Sequence, residues 1–98
     1  MTAVLDPEGA HLGALRRLGD FRGRRVLEMG CGDGRLTPGI ARDAASIVAF
    51  DPDADAVACA HRSLPADLAE RVQYRVASGK EIELERHSFD IVVFSWSL

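Results

Sequence analysis

Glu28-Met29-Gly30-Cys31-Gly32-Asp33-Gly34 is the stretch on which the fold turns. It follows Arg25–Met29, an apolar run that reads as a short buried strand. It precedes residues 35–45 (RLTPGIARDAA), which read as a helix. Pro38 must then lie in the first helical turn, because deeper in it would remove a needed N–H. Glycine permits positive φ and lets a ligand approach the backbone. The helix behind the turn offers free N–H groups to a polar ligand. Three glycines at alternate positions exceed what a simple strand-to-helix turn requires.

The rest of the chain repeats this alternation. Residues 46–50 form the next strand, ending at Asp51-Pro52. Asp53 can cap a second helix over residues 54–64, with Pro65 just beyond its end. Val72, Tyr74 and Val76 alternate with polar residues and mark a third strand. Residues 78–88 carry no clear period and read as a loop. Residues 89–96 are a fourth strand with a continuous apolar centre. Strands alternating with helices predict right-handed βαβ units and a parallel α/β sheet. Ligands of such sheets bind beyond the carboxyl ends of the strands. Ahead of this unit, Asp6-Pro7-Glu8 reads as a helix start, and Leu12, Leu15 and Leu18 continue it. Residues 1–21 are therefore expected as an N-terminal helix, and residues 22–98 as the ligand-binding domain.

Composition sets outer bounds. The 98 residues hold 47% hydrophobic and 28% charged side chains, a globular mix that excludes a disordered tail or a collagen-like repeat. No apolar stretch approaches the ~20 residues of a membrane span. The net charge is −3, and residues 50–98 carry five basic and nine acidic groups. No basic stripe marks a nucleic-acid binder. Cys31 and Cys59 fit no disulfide framework or zinc pattern, and His11, His61 and His87 have no ligand spacing, so no metal site is expected. Acidic residues in the first twenty positions leave no secretory signal, and a cytoplasmic location with reduced thiols is expected.

The glycine spacing narrows the ligand. A dinucleotide fingerprint starting at Gly30 would place its third glycine on Arg35. A phosphate loop around Gly79-Lys80 would need glycine at Tyr74 and a hydroxyl residue at Glu81. The observed G-x-G-x-G, with Glu28 two residues upstream, suits a cationic ligand better than a pyrophosphate.

Residues 26–34 (VLEMGCGDG) resemble the first motif of class I S-adenosylmethionine-dependent methyltransferases. The resemblance continues through residues 48–53 (VAFDPD) and 89–95 (FDIVVFS), and is greatest to the small-molecule and quinone methyltransferases. It implies a Rossmann-like parallel sheet, here cut to about four strands in the order 3-2-1-4 and incomplete at the C-terminus. It implies S-adenosylmethionine as cofactor and methyl transfer to a small-molecule acceptor. The turn formed by Gly30, Cys31, Gly32 and Gly34 would hold the methionine part, with Glu28 reaching its ammonium, often through water. Asp51 would accept the ribose hydroxyls, and Pro52 would pack near the adenine. Ser78 and Gly79 match the family's adenine contact, although the family's acid is absent there. Ser95 follows the fourth strand, where cofactor contacts and the active site begin. No residue identifies itself as a catalytic base. A non-catalytic cofactor-binding module and an NAD-binding dehydrogenase domain remain alternatives. Residues 89–94, with no fifth strand beside them, are expected as a bare apolar edge through which the chain self-associates.

Overall fold

The computed structural model describes residues 3–5, 21–77 and 88–94. The elements run β1 (Ala3–Leu5), β2 (Arg25–Met29), α1 (Thr37–Asp43), β3 (Ser46–Asp51), α2 (Ala54–Ser63), β4 (Val72–Val76) and β5 (Ile91–Phe94). A short 3₁₀ turn, Ala66–Leu68, follows α2 and sinks Leu68 into the core. The strands form one sheet in the order β1-β5-β2-β3-β4, and every neighbouring pair is parallel. Counted from β2, four of these strands run 3-2-1-4, as the sequence predicts. The fifth is new.

That fifth strand corrects the expectation of a bare edge at Phe89–Phe94. Ala3, Val4 and Leu5 lie in register with Ile91, Val92 and Val93. Ile91–Val93 of β5 are therefore flanked by a paired strand on both sides, and the bare edge expected to drive self-association is covered there. Within the segment 1–21, read from the sequence as a helix, Ala3–Leu5 is strand, and residues 6–20 lie outside the described residues.

Both described helices pack on one face of the sheet. Ile40, Ala41 and Ala44 of and just after α1, with Val57 and Ala60 of α2, join Val26, Ile47, Ala49, Val72, Tyr74, Ile91 and Val93. The opposite face gathers Leu27, Phe50 and Val92, flanked by Met29, Val48 and Phe94. Val26, Leu27 and Glu28 are consecutive and all wholly buried. A strand covered on both faces has no solvent side on which to alternate. Residues 26–27 and 91–93 accordingly read as unbroken apolar runs.

The helix boundaries follow local chemistry. Asp53 caps α2, its carboxylate accepting from the N–H of Asp55 at 3.0 Å and of Ala56 at 3.2 Å. Pro38 stands in the first turn of α1, as required of it. α1 begins at Thr37, two residues later than the sequence suggests; the turn that precedes it is closed by Gly34 N–H bonding Cys31 C=O.

Candidate functional site

The carboxyl ends of β2 and β3 lie side by side, and the glycine turn leaves the sheet between them. Gly30, Gly32 and Gly34 all have positive φ, at 74°, 56° and 82°. L-residues with a Cβ rarely tolerate that region, so the alternate glycines are a backbone requirement. The turn is fastened to β3. The N–H groups of Gly30 and Cys31 both donate to Phe50 C=O, at 2.9 and 3.1 Å.

Asp51 completes the outer side. It is half-buried at the last position of β3. Its Oδ2 accepts from Gly32 N–H at 3.1 Å and its Oδ1 from Asp53 N–H at 2.9 Å. The carboxylate thus joins the glycine turn to the start of α2. A carboxylate has about four acceptor positions, so two backbone bonds leave capacity for ligand hydroxyls. Pro52 is exposed beside it.

The inner side of the turn is different in kind. Glu28 is wholly buried, and its Oε1 accepts from the Thr37 hydroxyl. It therefore lies beneath the turn rather than on its surface, and a ligand outside would meet its charge through the turn or through water. Thr37, the first residue of α1, is also wholly buried. The sequence reading missed it; a hydroxyl residue at the start of the helix behind the turn is the signal that could have found it.

Cys31 is buried, and its Sγ makes only a long contact to Gly32 C=O. Burial pushes its thiol up to about 12, with the charges of Glu28 and Asp51 adding to the rise. Its burial and raised thiol suit packing rather than nucleophilic chemistry. Gly34 serves packing as well: a Cβ there would lie 2.8 Å from both Ala60 Cβ and Tyr74 Oη. Its place is against α2 and β4, inside the fold. Tyr74 Oη is buried without a hydrogen bond of ordinary geometry. Burial pushes its phenol up to about 12, with the charge of Glu28 adding to the rise.

Of the residues proposed from the sequence, Gly30, Cys31, Gly32, Gly34, Glu28, Asp51 and Pro52 are brought together at this one end of the sheet. Ser78, Gly79 and Ser95 lie outside the described residues. Among the described residues no group of His, Cys, Asp and Glu could hold a metal ion. No described helix is long and apolar enough to cross a membrane.

Known proteins resemble this chain in sequence and in fold. Residues 26–98 match the family described as a methyltransferase domain. The mitochondrial ubiquinone biosynthesis O-methyltransferase of Rattus norvegicus is 42% identical over 76 residues, covering 74% of this chain and 22% of the rat protein. The ubiquinone biosynthesis O-methyltransferase of Rhizobium etli is 37% identical over 73 residues, covering 74% of this chain and 29% of that protein. The chain thus spans between a fifth and a third of the length of these relatives. Among solved structures, an RNA methyltransferase from Salinibacter ruber in complex with S-adenosyl-L-homocysteine superposes with a TM-score of 0.73. It is 24% identical, covering 85% of this chain and 55% of that one, a likeness of fold. Neither the dehydrogenase reading nor that of a non-catalytic module is favoured. With its glycine turn, its strand-end carboxylate and these relatives, the chain belongs to the class I S-adenosylmethionine-dependent methyltransferases.

Proposed function

We propose that this chain holds S-adenosylmethionine across the carboxyl ends of β2 and β3 and serves methyl transfer to a hydroxyl oxygen of a small molecule. The bond from Gly32 N–H to Asp51 carries the reading. It joins the turn suited to the methionine part and the acid suited to the ribose in one continuous surface. When bound, the cofactor supplies an electrophilic methyl group on a sulfonium. The residues named here bind and orient: Gly30 and Gly32 admit close backbone approach, and Asp51 accepts from the ribose hydroxyls. Orientation of this kind can supply several kcal/mol of barrier reduction. The oxygen acceptor is supported by relatives named as O-methyltransferases of ubiquinone biosynthesis.

The test has two parts. Calorimetric titration should show binding of S-adenosylhomocysteine and none, or far weaker, of NAD; tighter NAD binding would overturn the cofactor assignment. Methyl-labelled S-adenosylmethionine offered with a set of phenols and a set of amines should deliver label to the phenols. Label found only on amines would overturn the acceptor.

A further inference from the structure

Thr37 is a capping-type residue at the start of a helix, yet it does not cap. The cap position of α1 is Leu36, which offers no side-chain bond to the helix N–H groups. The single hydroxyl proton of Thr37 goes instead to Glu28 Oε1. Donor and acceptor are both wholly buried. A carboxylate sealed from water is strongly disfavoured unless hydrogen bonds replace its hydration. A donor aimed at its charged form favours that form and fixes its orientation. Glu28 stands two residues before Gly30, and its charge is felt inside the turn: it raises both the Cys31 thiol and the Tyr74 phenol.

We propose that Thr37 is a positioning residue, whose hydroxyl orients the buried Glu28 carboxylate beneath the glycine turn so that this charge answers the ammonium of the cofactor's methionine part. The proposal rests on the S-adenosylmethionine reading above. Charge held in place before the ligand arrives needs no reorganisation on binding. Valine has the shape of threonine without the proton, so Thr37→Val removes the bond and little of the packing.

Two ligands separate positioning from mere structure. S-adenosylhomocysteine carries the amino-acid end; 5′-methylthioadenosine keeps the adenosine and lacks that end altogether. By calorimetry, Thr37→Val should bind S-adenosylhomocysteine about tenfold more weakly, the scale of one lost bond to a charged group. Its affinity for methylthioadenosine should be unchanged, and Thr37→Ser, which restores the hydroxyl, should restore the first affinity. Equal losses for both ligands, or no loss for either, would overturn the proposal. If Thr37→Val does not fold, Glu28→Gln carries the same comparison. Glutamine keeps an oxygen for Thr37 and loses the charge, so the selective loss should recur; an equal loss of both ligands would overturn the proposal again. A native chain that binds methylthioadenosine but gains nothing from the amino-acid end would contradict this proposal alone. A native chain that binds neither ligand would instead remove the cofactor reading on which it rests.

Discussion

The glycine turn divides two regions that use the same kinds of residue for opposite ends. Outside it, Asp51 is half-buried and bonded to backbone N–H groups of Gly32 and Asp53. Inside it, Glu28 is wholly buried and bonded to a side chain, Thr37. The two acids stand near the ends of adjacent strands, yet only the outer one presents oxygens where a ligand could meet them. The glycines divide likewise. Gly32 carries a donor to the outer acid, whereas Gly34 is pressed against Ala60 and Tyr74. In the reading proposed above, the outer region receives the ligand, while the inner region holds the turn in shape and keeps a buried charge beneath it. Substitutions should therefore sort by role: packing positions such as Gly34 should show in stability, and the acids on either side of the turn in binding.

Gly34→Ala should have the largest effect. Its Cβ would meet Ala60 Cβ and Tyr74 Oη at 2.8 Å in a backbone with φ of 82°. Left-handed strain and overpacking together should lower stability by about 2–5 kcal/mol. Denaturant unfolding followed by circular dichroism would measure it; an unshifted midpoint would show that the inner side yields easily. Asp51→Ala should come next, and on the other side of the division. Losing a charged acceptor should weaken S-adenosylhomocysteine by about 1–3 kcal/mol while the fold persists. An unchanged dissociation constant would reduce Asp51 to a turn residue that merely ties Gly32 to α2.

A smaller effect should appear in alkali and belong to the inner region. The Cys31 thiol rises from 9.0 to about 12 and the Tyr74 phenol from 10.0 to about 12, both through burial first. Between those values the unfolded chain releases protons that the folded chain retains. The folded state then binds more protons, so stability falls as pH rises from about 9 towards 12. Cys31→Ala should flatten the lower part of that decline and Tyr74→Phe the part above about 10. A decline unaltered by either substitution would mean that other groups govern it.

Much of this architecture is legible in the chain because its signals are local. The glycine turn, Pro38 in the first turn of α1 and the Asp53 cap each specify their own geometry within a few residues. The two-sided burial of β2 and β5 shows as unbroken apolar runs. What escaped depends on distant partners. Ala3–Leu5 is too short to display a period, and its pairing with Ile91–Val93 joins the two ends of the chain. Threonine at the start of a helix reads as a cap. Only the position of Leu36 and the buried acid on β2 reveal that its hydroxyl is spent elsewhere. Likewise, the sequence marks Gly34 as part of a turn, but its crowding against α2 and β4 requires the packed fold.

The central claim is that the ligand lies on the outer side of the turn, against the ends of β2 and β3. An amide NMR titration of the chain with S-adenosylhomocysteine tests this residue by residue. The largest shifts should fall on Gly30, Gly32 and Asp51 through Asp53, with the amino-terminal ends of the strands unmoved. Saturable binding whose shifts spare these amides and gather elsewhere on the sheet would contradict the account.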